Sequence, residues 1–271
     1  MATAQAKPEP KGDGIFCKEG VVAAAILNPV REELTGSTLE AYKISGHADL
    51  IASSPLFAGL SEHHCEEVAR RAQPKKFTRG EILFTQGQPV HDLLLIRSGC
   101  VKITQLSSDG KEVILWIYGP RNVVGVFPEP LSSSQSCSAR AMAQSTALTW
   151  EYGDLEGLMQ EYPRIRKNIG LILTARLDEL EERFRELATE KVAKRLSLAL
   201  LRLLKQIGKK MDRGVQVDLS REELAQMTGT TLFTISRILS RWSELGIVLP
   251  RREAVLVYDE HLLELAGNEN L

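Results

Sequence analysis

At Pro163 the apolar pattern of the chain changes period, and that change constrains the fold more than any other feature. From Phe77 to Trp150 apolar residues come in short runs: Phe77, Ile82, Phe84, Leu93–Ile96, Val101, Ile103, Val113–Ile117, Val123–Val126, Ala139–Ala143 and Leu148–Trp150. Gly80, Gly87, Pro89, Gly99, Gly119-Pro120 and Gly125 punctuate them. Short strands at this spacing, separated by turn residues, predict a β-sandwich or barrel. Asp109-Gly110, between two such runs, predicts a type I′ hairpin with positive φ at both central residues. Beyond Pro163, Leu173, Leu177, Leu180, Phe184 and Leu187 follow one another at spacings of 4-3-4-3. That is an a/d seam, and it predicts helix-to-helix packing across a homodimer. Asp178, Glu179, Glu181, Glu182, Arg183 and Arg185 lie between its members as a solvated face. One long helix packed only on its own domain is the alternative.

Residues 1–46 differ from both regions. Pro8, Pro10, Gly12, Gly14 and Gly20 interrupt any periodicity. They read as a disordered extension with short helical pieces around Val21–Leu27 and Leu39–Ile44. A compact unit is expected from His47, with a short helix at Ala48–Ser53. A second helix is capped by Ser61 and turns Val68 and Ala69 inward. The expected division is therefore 1–46 extension, 47–162 β-rich unit, 163–187 long helix and 188–271 carboxy-terminal domain.

The carboxy-terminal domain concentrates positive charge. Ala188–Tyr258 holds 13 Lys/Arg against 7 Asp/Glu, inside a chain of formal charge −1. A segregated excess of this kind is what phosphate binding requires. A helix is expected from Lys191 to about Leu204, then a short strand at Val215–Leu219. Ser220-Arg221-Glu222-Glu223 is a capping box opening Glu222–Met227, which stops at Thr228-Gly229. Thr230 or Thr231 caps the next helix, Leu232–Leu245. Two short helices joined by a tight glycine turn form a helix-turn-helix. Leu224, Ala225, Ile235, Ile238 and Leu239 face inward. Ile247–Leu249 and Val255–Tyr258 then form a wing around Arg251-Arg252. The candidate DNA contacts are Ser220, Thr230, Thr231, Phe233, Thr234, Ser236, Arg237 and Arg241, with Arg251 and Arg252 on the wing. Arginine bonds guanine bidentately, and Ser and Thr reach phosphates or base edges.

Other function classes are excluded by what the chain lacks. No apolar run approaches the roughly 20 residues needed to cross a bilayer, so no membrane partner is expected. Val21–Leu27 is too short and too far in for a signal peptide. Cys17, Cys65, Cys100 and Cys137 show no CxxC spacing, which suits a reducing cytoplasm. No Ser/His/Asp set, P-loop or HExxH is present, so no enzyme is expected.

The order of β-unit, long helix and winged helix-turn-helix resembles the Crp/Fnr family of bacterial transcription regulators. The resemblance rests on Gly80-Glu81-Ile82-Leu83-Phe84, Gly87, Leu94–Gly99, Asp109–Leu115 and Leu219–Val248, and spans about His47 to Tyr258. It implies an α+β chain made of a cyclic-nucleotide-binding-type β-roll, a long dimerisation helix and a winged helix-turn-helix domain. It also implies a homodimer on an inverted-repeat operator, controlled by an effector sensed in the β-roll, with RNA polymerase as a further partner. Leu224–Arg237 is most similar to the nitric-oxide-responsive (NnrR-type) branch.

Several departures bear on the effector. Where cAMP-binding members have Gly-Glu, Gly125 is followed by Val126; where they have Arg-Ser for the cyclic phosphate, this chain has Gln135-Ser136. Pro128, Pro130 and Leu131–Ser134 replace the compact turn of that cassette, and no Thr-Ser pair occurs between Leu171 and Leu187. Burying a phosphate without a cationic partner is costly, so the expected effector is not cAMP. The oxygen-sensing branch needs an amino-terminal cysteine cluster that Cys17 alone does not supply. That branch also has Glu on the reading helix, where Phe233 stands here. A haem is the family's other option, with His63, His64, Cys65, His91, Cys100 and Cys137 as candidate axial ligands. A competing reading makes the chain a small-molecule-binding module that acts on a protein partner.

Overall fold

The computed structural model describes residues 36–89, 91–125 and 134–268, with side chains described from Ile44 onward. Val21–Leu27, Cys17, Val126, Pro128 and Pro130 lie outside the described residues. The chain divides into Met1–Lys43 and Ile44–Leu271. Helix α1 covers Gly36–Ala52 without a break at the boundary expected at 46.

Within Ile44–Leu271, eight strands form two antiparallel four-stranded sheets. They are β1 (Gln73–Phe77), β2 (Ile82–Phe84), β3 (Asp92–Ser98), β4 (Val101–Leu106), β5 (Glu112–Tyr118), β6 (Val123–Val124), β7 (Ser138–Ala141) and β8 (Ser145–Glu151). One sheet runs β1-β8-β3-β6 and the other β2-β7-β4-β5. Leu94, Ile96, Val101, Ile103, Ala139 and Ala147 fill the space between the sheets. Leu93, Leu95, Leu148 and Trp150 point to the outer face of the first sheet. There they pack on α2 (Glu62–Arg70), α3 (Tyr152–Glu161) and the start of α4 (Pro163–Thr189). Strand β3 is therefore buried on both faces, which is why Leu93–Ile96 is an unbroken apolar run. Gly99 turns β3 into β4 at φ +81°, where a Cβ would lie 2.2 Å from Ser145 Oγ.

The β4–β5 hairpin differs from expectation. Only Gly110 has positive φ, and its N–H donates to Ser107 O across 3.0 Å while Ser107 N–H donates to Lys111 O across 2.9 Å. This is a three-residue loop with glycine in the left-handed position, a common alternative to type I′. Asp109 is held instead by the Ser107 hydroxyl.

Helix α4 has 27 residues and so is about 40 Å long. Its first turns are anchored by Ile165 and by Asn168, whose side-chain amide donates to Leu56 O and Ala58 O at 2.9 and 3.0 Å. The carboxy-terminal domain follows: α5 (Val192–Ile207), β9 (Lys209–Lys210), β10 (Val215–Val217), α6 (Arg221–Thr228), α7 (Leu232–Glu244), β11 (Val248–Pro250), β12 (Val255–Val257) and α8 (Glu260–Asn268). Its sheet has the order β11-β12-β10-β9, so the wing extends a four-stranded sheet that includes β9, a strand the sequence pattern misses. Among the described residues no helix is long and apolar enough to cross a membrane.

Candidate nucleic-acid interface

Helices α6 and α7 form the helix-turn-helix. Ser220 and Glu223 make both halves of the capping box, at 3.2 Å for the Glu223 amide and 2.9 Å for the Ser220 amide. The Ser220 hydroxyl also donates to the Glu223 carboxylate at 2.9 Å. That bond helps fix the start of α6. Gly229 caps α6 at φ +62° in the left-handed region, and a Cβ there would meet Leu187 Cδ1 at 3.0 Å. Arg195, not singled out in the sequence, braces this turn by donating to Thr228 O at 3.0 Å and Glu190 O at 2.9 Å.

Thr231, rather than Thr230, is the N-cap of α7 and accepts from Thr234 N–H at 3.3 Å. Ile235, Leu239 and Trp242 form the buried face of α7. Phe233 stands 83% exposed, and Arg237 and Arg241 are exposed on the same side, at successive four-residue steps. Thr230, Thr234 and Ser236 flank them, half-buried. Ser240, one turn beyond Arg237 and exposed, joins this face; its spacing alone could have flagged it. An exposed aromatic ring beside two arginines suits base edges and the thymine methyl.

The wing is placed differently from the reading helix. Arg251 N–H donates to Ala254 O at 2.7 Å, closing the tip. Arg251 Nη1 donates to Gln216 Oε1 at 2.8 Å, and Glu253 forms a 2.8 Å ion pair with Arg79 of the β-roll. Arg252 is exposed. The wing tip thus touches the β-roll on one side while offering a cation on the other.

Along α4, the seam side chains Leu173, Leu177, Leu180, Phe184 and Leu187 are 46, 54, 41, 72 and 52% exposed. The helix alone on its own domain does not cover them. Leu187 is shared, because it also approaches Gly229 of the turn.

A cavity of about 240 Å³ lies between the β-roll and α4, lined by Trp116, Tyr118, Cys137, Arg176, Leu177 and Leu180, among others. Gln135, at the position matched to the family's phosphate-binding Arg, is 2% exposed with its side-chain oxygen unpaired. Of the candidate haem ligands, Cys137 alone lines this cavity. His63 and His91 are exposed, the His64 ring lies tilted against Tyr162 with centroids 4.8 Å apart, and Cys65 is on the buried face of α2. Cys100 packs against the carboxy-terminal core. Among the described residues no three His, Cys, Asp or Glu side chains come together. Among these candidates, therefore, no two line the cavity together to hold a haem from both sides.

Comparison with known proteins agrees with this geometry. The model of the cyclic nucleotide-binding domain matches residues 74–162, and that of the Crp-like helix-turn-helix domain matches residues 194–266. The chain is 26% identical over 217 residues to the CRP-like cAMP-activated global transcriptional regulator of Mycobacterium tuberculosis, covering 79% of this chain and 97% of the relative. It is 29% identical over 211 residues to the cyclic AMP receptor protein of Thermus thermophilus, covering 78% and 95%. The c-di-GMP-responsive global regulator CLP of Xanthomonas campestris is similar in structure, with a TM-score of 0.64 at 25% identity over 73% of this chain and 100% of the other. FixK2 of Bradyrhizobium japonicum shares the fold, with a TM-score of 0.65 at 19% identity, over 74% and 99%.

Proposed function

The chain belongs to the Crp/Fnr family of DNA-binding transcription regulators, and from that premise we propose that it reads an inverted-repeat operator as a two-fold homodimer. The observation that carries this reading is α7, which turns Phe233 and Arg237 fully outward while Ile235, Leu239 and Trp242 hold it to the domain. Two such helices, related by a dimer axis along the exposed α4 seam, enter successive major grooves roughly 34 Å apart. We divide the chain as 47–162 sensor, 163–187 dimerisation helix and 188–271 DNA-binding domain. The protein acts in the cytoplasm, where contact with RNA polymerase would carry its signal. The alternative, a module acting only on a protein partner, leaves the helix-turn-helix without a use. An NnrR-type branch is supported by Leu224–Arg237 alone, since the sensor cavity has no histidine lining it.

Arg237→Ala is expected to weaken operator binding by about 1–3 kcal/mol per half-site and to relax preference at one base pair. Arg252→Ala should weaken all sequences alike and lower the salt slope by about one, because a phosphate contact carries no base information. Binding titrations at several salt concentrations, on operator and scrambled duplexes, check both. A uniform effect from Arg237 with a base-selective one from Arg252 would reject α7 as the reading helix.

The effector is not cAMP on this reading. The side-chain oxygen of Gln135 is an acceptor where the cyclic phosphate needs a cationic donor. Micromolar cAMP should therefore leave operator affinity unchanged. Calorimetric binding of cAMP in that range, with a gain in DNA affinity, would refute it.

A further inference from the structure

The helix that meets DNA begins with two large apolar side chains in water. Leu232 is 43% and Phe233 83% exposed, and they are the first two residues after the N-cap Thr231. No other large apolar side chain among the described residues is as exposed as Phe233. A recognition helix brings its N-terminal residues to the base edges, so this apolar pair stands where sequence is read. Burying an aromatic ring is among the larger gains a contact can make, and it calls for an apolar partner. On the base edges of the major groove that partner is the 5-methyl group of thymine.

The rest of the face narrows the reading. From Thr230 to Ser243 the sequence holds no Asp, Glu, Asn or Gln. Cytosine presents an amino donor that needs an acceptor, and adenine is matched by the amide of Asn or Gln. Glu244 is exposed but sits at the far end of α7. Ser and Thr hydroxyls fit donors and acceptors alike and so discriminate little. Arg237 and Arg241 are exposed donors suited to the two acceptors of guanine. A cytosine amino group set against Phe233 would lose its water and gain no acceptor, which penalises that base.

We propose that Leu232 and Phe233 make the chain selective for thymine methyl groups, so that each operator half-site presents thymine to the start of α7 and guanine to its arginines. This rests on reading α7 as the recognition helix. Successive residues of a helix point about 100° apart, so the two side chains diverge and meet different methyl groups. Phe233 shares its side of α7 with Arg237, which sets the thymine beside the guanine that the arginine reads.

The test uses the full chain and a pool of DNA duplexes randomised across both half-sites. Selection should enrich inverted repeats that carry thymine and guanine in each half. The enriched duplex is then remade with uracil for thymine, one symmetric pair at a time, which removes the methyl and leaves the pairing edge intact. At the contacted pair, binding should weaken about 15-fold, or about fourfold for each methyl. Cytosine placed there should bind poorly, and 5-methylcytosine should recover the same factor over cytosine, since those two differ by the methyl alone. In Phe233→Ala the gap between thymine and uracil at its position should vanish, a difference between two duplexes that a merely structural role would not move. The comparison on the unsubstituted protein needs no variant. Equal binding of thymine and uracil at every position, or a gap that survives in both Phe233→Ala and Leu232→Ala, would overturn the proposal and leave the ring to a protein partner. A pool that enriches no sequence would reject the regulator reading itself and the proposal with it.

Discussion

Leu180→Asp is expected to leave the protein monomeric and to abolish binding to an inverted-repeat operator. Leu180 lies at the middle of a seam whose five members are between 41 and 72% exposed on the single chain. Pairing two seams would bury two carboxylates beside each other at the symmetry axis, with no cation on the seam to receive them. The cost of desolvating an unpaired charge is several kcal/mol, and even 3 kcal/mol is roughly 100-fold in the dimer constant. DNA affinity should fall further, because a monomer loses the millimolar effective concentration that the second half-site otherwise supplies. Phe184→Asp, at 72% exposure, should behave alike. Size-exclusion chromatography with light scattering, together with operator titration, checks the outcome. Mutants that stay dimeric would place the dimer contact on another face.

Arg202→Ala should be the most damaging single change to stability outside the apolar cores. Its guanidinium holds the Glu186 carboxylate with two bonds, at 2.6 and 2.8 Å, and Glu186 is only 3% exposed. The pair ties the last turns of α4 to α5. Removing the arginine leaves a buried carboxylate without its counter-ion, a loss of about 3–5 kcal/mol. In a domain of this size that lowers Tm by about 10 °C. Glu186→Gln in the Arg202→Met background should recover much of the loss, since neither group is then charged. A shift of less than about 2 °C for Arg202→Ala would mean that water reaches Glu186 in its place.

The strongest periodicities in the sequence are local, and those are the features the structure matches most closely. The capping box at Ser220, the glycine at 229 and the seam from Leu173 all depend on residues within a turn or two of each other. The long helix runs two residues past its expected end. What the sequence hides is set by partners distant in the chain. Arg79 meets Glu253 across 174 positions, and Lys102 comes within 3.8 Å of Glu223; no spacing rule encodes such pairs. Ser220 was legible as a cap, while the further bond from its hydroxyl to Glu223 was not. The type I′ expectation at Asp109 failed because the loop holds three residues rather than two. Trp116 and Tyr118 read as strand residues, and only the placement of α4 over β5 shows that their polar atoms are enclosed without partners.

The apolar cluster of the DNA-binding domain is not closed by that domain. Ile114 and Ile117 of β5 are 2 and 1% exposed within the same cluster as Leu196, Leu200, Leu224 and Trp242. Sensor and reader therefore share one interior and should melt as one cooperative unit, with amide exchange in α5 and β5 slowed to the same depth. A gene fragment beginning at Glu190 would encode a domain with an open socket where the hairpin belongs, prone to stick to itself. A reader domain borrowed from another protein would therefore have to arrive with side chains shaped to Ile114 and Ile117.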